Sequence, residues 1–215
     1  MNRPRIADLF CGAGGAGMGL HRAGFEVVGF DIEPQKNYPF EFHQADALTV
    51  DLSGFDAVWA SPPCQFYSRL RHLPWLRDKV YWRSIPPTRE HIQASDKPYI
   101  IENVEDARWD MPNSITLCGK AFGLRLFRHR CFETSWFELA PVHEKHTEVI
   151  AAGRASLALR RHGLNGWGGP AGHQGGVERH REQMGINWMT GKELSQAVPP
   201  AYSEYLGKQL MKVLK

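Results

Sequence analysis

The stretch Arg5-Ile6-Ala7-Asp8-Leu9-Phe10-Cys11-Gly12-Ala13-Gly14-Gly15 decides the fold. Arg5 to Phe10 reads as a buried first strand, and the glycine-rich half as a tight turn opening a helix that runs to about Arg22. Phe25-Glu26-Val27-Val28-Gly29-Phe30 is a second strand, ending at Asp31. Ala57-Val58-Trp59-Ala60 reads as a third or fourth strand. Pro98-Tyr99-Ile100-Ile101-Glu102-Asn103-Val104 is another, with its polar pair at the C-terminal end. Strands alternating with helices predict an α/β chain with a mostly parallel sheet covered on both faces. Such sheets bind ligands beyond the carboxyl ends of their strands. Asp8, Asp31, Cys64 and Glu102 all fall at or just past predicted strand ends, so one site is expected to gather them.

Gly12, Gly14 and Gly17 fit G-x-G-x-x-G after a strand, with acidic Asp31 closing the next strand. That pattern matches a dinucleotide-binding turn and equally a turn that holds S-adenosylmethionine. A pyrophosphate wants amide donors and no carboxylate beside them. Asp8 is read at the mouth of the turn, where a carboxylate suits a cationic amino-acid tail better. Asp31 serves ribose hydroxyls under either reading.

Ser61-Pro62-Pro63-Cys64-Gln65 follows the apolar run Phe55 to Ala60. Prolines stiffen the backbone and remove amide donors, so Cys64 is held on a rigid loop at a strand end, where an attacking sulfur belongs. The plainer reading is a small buried hydrophobe. Glu102-Asn103-Val104 ends an apolar strand. Partial burial there raises a carboxyl pKa and lets it carry a proton near neutrality; a helix cap and a turn residue are the alternatives.

At 215 residues, with 42% hydrophobic residues, the chain has the size of one domain with at most a small appendage. No apolar run reaches membrane-spanning length, and Met1 to Arg5 leads straight into a strand without a signal-type apolar region. A cytosolic protein, bacterial or in a phage-infected cell, is expected. Cys11, Cys64, Cys118 and Cys131 form no C-x-x-C pair and no disulfide framework. A zinc site from Cys118, His129 and Cys131 lacks a second ligand pair, so no metal is expected.

The net charge of +3 is a weak pointer to a polyanionic partner; its distribution says more. Between Val142 and Arg181 lie five of the ten histidines, eight glycines and six Lys or Arg against three Glu. The segment is turn-rich and aperiodic, and is read as a basic loop region rather than a sheet element. Thr190 to Leu214 is helical in pattern, broken at Pro199-Pro200 and resuming at Tyr202.

Taken together, Asp8 to Gly15, Pro62-Pro63-Cys64-Gln65 and Glu102-Asn103-Val104 resemble the C5-cytosine DNA methyltransferases, in that family's motif order. Asp31-Ile32-Glu33 looks like the family's ribose and adenine motif, and Asp46 like the residue that reads the adenine amino group. Ser68 stands four past Cys64, as in the extended cysteine motif. Arg128-His129-Arg130 resembles the Arg-x-Arg motif. Gln196-Ala197-Val198-Pro199-Pro200 and Tyr205-Leu206-Gly207 resemble the C-terminal motif beside the cofactor, with Gln196 where the family usually has Asn.

The resemblance implies a Rossmann-like methyltransferase fold. Residues 1–140 would be the catalytic, cofactor-binding part, 141–185 a short DNA-recognition segment, and 186–215 a segment returning to the catalytic part. It implies S-adenosylmethionine held by Asp8, Phe10, Cys11, Gly12, Gly14, Gly15, Asp31, Ile32, Asp46, Ala47, Pro62 and Gln196. It implies Cys64 as nucleophile at cytosine C6, Glu102 as hydrogen-bond donor at N3, and Arg130 near O2 with Arg128 in support.

Duplex DNA is the implied partner, its target base flipped out. Gln65, Ser68, Arg154, Arg160, Arg161, Arg179 and Arg181, with Lys145, are the implied nucleic-acid contacts. So small a segment suits a target of about two to four base pairs or little selectivity. The compactness is similar to small phage-encoded members, and a monomer is expected. The rivals are an RNA cytosine-C5 methyltransferase, an inactive cofactor- and nucleic-acid-binding module, and a nicotinamide oxidoreductase. The last leaves Pro62 to Gln65 and Glu102 to Val104 unexplained.

Overall fold

A computed structural model describes residues 3–76, 78–142, 145–148, 167, 168 and 176–215. Seven strands form one sheet: β1 (Arg5–Leu9), β2 (Glu26–Asp31), β3 (Glu41–Gln44), β4 (Ala57–Ala60), β5 (Tyr99–Val104), β6 (Ile115–Leu117) and β7 (Arg130–Thr134), in the order β3-β2-β1-β4-β5-β7-β6. β1 to β5 run parallel, and β7 is antiparallel to both β5 and β6. The α/β expectation with a mostly parallel sheet therefore holds.

β1 and β4 are the central neighbours, with Asp8 opposite Trp59 and Leu9 opposite Ala60. Strand order reverses between them, so the chain leaves these two strand ends in opposite directions and opens a crevice there. The burial of both strands on both faces explains the unbroken apolar run of β4 and the apolar residues that flank Asp8 in β1.

Two layers cover the sheet. On one face Ile6, Val27, Ala57, Trp59, Ile100 and Phe132 meet α1 (Gly15–Ala23) and the last helix, α5 (Pro200–Val213), through Leu20, Tyr202, Leu206 and Leu210. These helices cross very closely. A Cβ at Gly19 would lie 2.1 Å from both Pro200 O and Ser203 Oγ, so only glycine permits the crossing. On the other face Ala7, Leu9, Val28, Val58 and Ile101 meet α2 (Ile85–Gln93) and the loops after β3 and β4. Trp59 is fully buried, and its truncation to Ala would cost about 3–5 kcal/mol.

The two-residue period of β5 and β7 puts Ile100 and Phe132 on the α1–α5 face, and with them Glu102 and Arg130. Ile101 and Cys131 face the α2 side.

Beyond residue 175 the expectation of an irregular loop fails in part. Val177–Met184 forms a helix, α3, that buries His180, Gln183 and Met184. Its apolar residues are few, which hid the period. With α4 (Gly191–Gln196) it builds a third small core of Leu126, Met184, Ile186, Met189 and Leu194 against Ala13 of the glycine turn. Thr190 caps α4 by a capping box with Glu193. No helix among the described residues is long and apolar enough to cross a membrane.

Candidate active site

The turn after β1 is the tightest piece of backbone in the crevice. Phe10 takes φ 55, Gly12 φ 48 and Gly14 φ 81. A bulky residue in the left-handed region is strained by about 1–3 kcal/mol and persists where function requires it. The turn is clamped from both sides. Asp31 Oδ2 accepts from the Gly12 amide at 3.0 Å and its Oδ1 from the Glu33 amide at 3.0 Å. From the C-terminal segment, the Trp188 indole donates to Ala13 O at 2.8 Å, and Asn37 donates to Glu193 at 3.0 Å. Gly15 has no room for a Cβ, which would stand 2.5 Å from Val198 O.

The β1, β2 and β3 strand ends leave Phe10, Asp31, Ile32 and Asp46 along one rim, linked by Cys11 N to Phe30 O and Ala45 N to Asp31 O. Ile32 is 65% exposed, and Asp46 is exposed with its carboxylate accepting from the Leu48 amide. Gln196, at the end of α4, is exposed, whereas Cys11, Ala47 and Pro62 are buried behind the rim.

Asp8 departs from expectation. It is fully buried beneath α1, not at the mouth of the turn. Oδ2 accepts from the Tyr38 hydroxyl at 3.0 Å, and Oδ1 has no hydrogen-bond partner. Burial pushes its pKa to about 8, which favours the protonated form at neutrality. In a strand buried on both faces, position 8 points under the helix while position 9 points to the opposite layer; strand-end proximity alone did not resolve that.

The second half of the site is built on β4, β5 and β7. Pro62-Pro63-Cys64 leaves β4 as a pinned loop. Asn103 Nδ2 donates to Pro62 O at 2.9 Å, and the Ser84 hydroxyl to Pro63 O at 2.8 Å. Cys64 O accepts from the Tyr67 and Ser68 amides, and Ser68 Oγ caps the short turn Arg69–His72. Further along, Tyr67 donates to Asp110 at 2.9 Å, and Arg83 also pairs with Asp110. The intervening loop is therefore fixed at both ends and exposes Trp75, Val80 and Trp82 between them.

Cys64 is half-buried and lies within the fields of Glu102, Arg130 and Arg128. Burial, then the Glu102 charge, raise its thiol pKa, while Arg130 and Arg128 pull it down. Glu102 is only 7% exposed. Arg130 Nε stands 3.1 Å from its Oε1, and Ser61 hydrogen-bonds its carboxyl. Ser61 is itself held by the Trp59 indole at 2.9 Å. Desolvation outweighs these partners and leaves the Glu102 pKa raised.

Arg128 is completely buried; it donates to Ser195 O at 2.9 Å, and the Tyr202 hydroxyl donates to Arg128 O at 2.6 Å. Desolvation, then Arg130, lowers its pKa to about 9, so it remains a cation at neutrality. Cys64, Glu102, Arg130 and Arg128 are thus brought together as expected. Ser61, Asn103, Trp188 and Glu193 were not among the expected site residues; only the structure reveals their partners.

The nucleic-acid expectations divide. Gln65 and Ser68 flank Cys64, with Gln65 exposed. Arg179 is half-exposed on α3. Arg181 is committed inward, donating to Met189 O at 2.8 Å and pairing with Glu178 at 2.7 Å; it holds the α3–α4 connection and is not free for phosphate. Lys145 O accepts from Lys120. Arg154, Arg160 and Arg161 lie outside the described residues. A hollow of 490 Å³ beside Arg3, His21 and Glu26 lies at the opposite ends of the strands and takes no part in this chemistry.

The family profile of the C-5 cytosine-specific DNA methylases matches residues 4–105. That match covers a little less than half of the chain, and through it the chain is similar to the C-5 cytosine-specific DNA methylases. The match takes in the glycine turn, Cys64 and Glu102, and ends before Arg128 and Arg130. The chain is 29% identical over 114 residues to Type II methyltransferase M.FnuDI of Fusobacterium nucleatum, covering 47% of this chain and 32% of that one. It is 28% identical over 120 residues to the "Probable DNA (cytosine-5)-methyltransferase" of Frog virus 3, covering 48% and 55%. The chain therefore spans about a third to a half of these relatives' length.

Among solved structures, a protein assigned as a DNA modification methyltransferase within an E. coli prophage superposes with a TM-score of 0.64 at 14% identity, over 98% of this chain and 99% of that one. S. pombe Dnmt2 methyltransferase superposes with a TM-score of 0.58 at 15% identity, over 100% of both. At such identities the likeness carries the fold alone.

Proposed function

We propose that this protein methylates cytosine C5 in duplex DNA, using S-adenosylmethionine and a covalent Cys64–C6 adduct on a flipped-out base. One observation carries the reading. A half-buried cysteine and a buried carboxyl, both within the segment matching the family named for this reaction, share their surroundings with two arginines that follow it in the chain.

The rim fits the cofactor. Carboxylates of Asp31 and Asp46 at strand ends suit hydroxyl and amino groups, and the exposed face of Ile32 suits a flat base. Phe10, Gly12 and Gln196 complete the expected contacts. When bound, S-adenosylmethionine supplies an electrophilic methyl group.

Cytosine C5 is a poor nucleophile. Bond formation between Cys64 Sγ and C6 opens the C5–C6 double bond and puts electron density on C5. Negative charge also spreads towards N3 and O2. Burial shifts Glu102 towards its protonated form, the form that can donate to N3, and the Arg130 cation faces the developing charge with Arg128 buried nearby. After methylation the C5 proton leaves, the C5–C6 double bond re-forms and sulfur departs as thiolate. Because Cys64 rests as a thiol, its proton must leave before or during attack.

Gln65, Ser68 and the exposed loop that follows, with Arg179, supply contacts to the strand around the flipped base. The test is parallel incubation of the protein with methyl-labelled S-adenosylmethionine and duplex DNA, single-stranded DNA or tRNA, followed by nucleoside analysis. Labelled 5-methyl-deoxycytidine from duplex, absent in Cys64→Ala, is expected. Label only in 5-methylcytidine would replace DNA by RNA. Cofactor binding without any labelled nucleoside would replace the enzyme by a binding module.

A further inference from the structure

Three metal-ligating side chains from separate segments meet beside the start of β7. Cys118 follows β6, His129 stands between Arg128 and Arg130, and His146 lies beyond the last sheet strand. One ligand atom from each lies within 4.8 Å of the others. Cys118 Sγ and His146 Nε2 are 3.3 Å apart. Zinc bonds of about 2.3 Å to sulfur and 2.0–2.1 Å to nitrogen, at tetrahedral angles, bring two such ligands to roughly 3.5 Å.

The rings are already ordered. His146 stacks on Phe127 at 4.0 Å between centroids and on His129 at 5.0 Å, nearly parallel in both cases. Glu105 Oε2 stands 3.7 Å from Nδ1 of His129, an ion-pair distance rather than a hydrogen bond. Cys131 is excluded: it faces the α2 side of the sheet, beside Thr116 Oγ1 at 3.6 Å. That alters the ligand set expected from spacing, replacing Cys131 with His146.

We propose that Cys118, His129 and His146 bind one zinc ion, with water at the fourth position. A thiolate with two imidazoles favours zinc over magnesium or calcium, which take oxygen ligands. Binding releases the Cys118 proton to solvent and changes no oxidation state. The ion would tie the chain around residue 146 to the segment leading into β7 that carries Arg128 and Arg130. The inference is independent of which nucleic acid the protein methylates.

The test uses the full chain, stripped with a chelator and titrated with Co(II). Expected are a thiolate-to-cobalt charge-transfer band and intense visible bands of a tetrahedral centre, saturating at one equivalent and displaced by Zn(II). Cys118→Ser should abolish the charge-transfer band and Cys131→Ser should leave it intact. His146→Ala, at an exposed position, should remove the one-equivalent end point without unfolding the chain. A wild-type protein giving only weak octahedral cobalt bands, or a charge-transfer band that survives Cys118→Ser, would overturn the proposal.

Discussion

Arg130 Nε lies 3.1 Å from Glu102 Oε1, with the two side chains only 12% and 9% exposed. The pair joins β5 to antiparallel β7 on the face that also carries Trp59 and Phe132. A guanidinium left without its carboxylate, or the reverse, is an uncompensated buried charge. Arg130→Ala should therefore destabilise the protein by about 3 kcal/mol at neutral pH, less if Glu102 takes up a proton. Urea denaturation of the variant measures this; an unchanged midpoint would mean that the pair contributes nothing.

Glu102 also sets the state of the nucleophile. Its charge is among the causes that raise the Cys64 pKa, and Arg130 opposes it. Glu102→Gln should shift the pH midpoint of Cys64 alkylation downward, while methyl transfer falls by about 10²-fold or more. Arg130→Ala should shift the same midpoint upward. Alkylation rates against pH, read by mass spectrometry of the Cys64 peptide, decide it. Midpoints that do not move would separate Glu102 from Cys64 electrostatically.

Asp8 makes stability depend on pH. Its folded pKa of about 8 lies above the ordinary 3.8. The unfolded chain therefore loses that proton first. The stability contributed by Asp8 is complete below about pH 4 and is lost as pH rises to about 8, by at most about 1.4 kcal/mol per pH unit. Asp8→Asn keeps an acceptor for Tyr38 and has no charge to bury. It should match the wild type near pH 4 and melt at higher temperature near pH 8. Parallel melting curves for the two proteins across that range would contradict this.

The C-terminal segment should matter for cofactor affinity although it lies far along the chain. Trp188 Nε1 donates to Ala13 O at 2.8 Å, inside the glycine turn. Trp188→Phe keeps the ring and deletes the donor. A loss of about 1 kcal/mol of turn stabilisation should weaken S-adenosylmethionine binding about fivefold by calorimetry while leaving Cys64 alkylation unchanged. Unaltered affinity would show that the turn holds its shape without this bond.

The central strands were legible because burial on both faces writes mainly apolar runs, unbroken in Ala57 to Ala60 and interrupted by Asp8 in Ile6 to Leu9. The catalytic cluster was legible in part because Cys64 follows the end of β4 and Glu102 lies near the C-terminal end of β5, whereas Arg128 and Arg130, just before and at the start of β7, were legible only through the Arg-x-Arg resemblance. β3 was not: Glu41 to Gln44 is an exposed edge with no apolar alternation. Asp8 was misplaced because strand position fixes the face but does not by itself reveal Tyr38 above it. Arg181 read as a free cation because charge in a sequence carries no record of its acceptors, here Met189 O and Glu178. His146 was absent from the expected metal set because its approach to Cys118 is set by ring stacking on Phe127, a contact between segments that spacing does not encode.

The most direct test of the account is covalent trapping on duplex DNA of varied sequence containing 5-fluorocytosine, with S-adenosylmethionine, comparing the wild type with Cys64→Ala. Fluorine cannot leave C5 as the proton does, so sulfur is not eliminated. A cofactor-dependent protein–DNA adduct through Cys64, absent in the variant, is the predicted result. A folded, cofactor-binding wild type that forms no adduct on any duplex would contradict the assignment of Cys64 as a DNA-cytosine nucleophile.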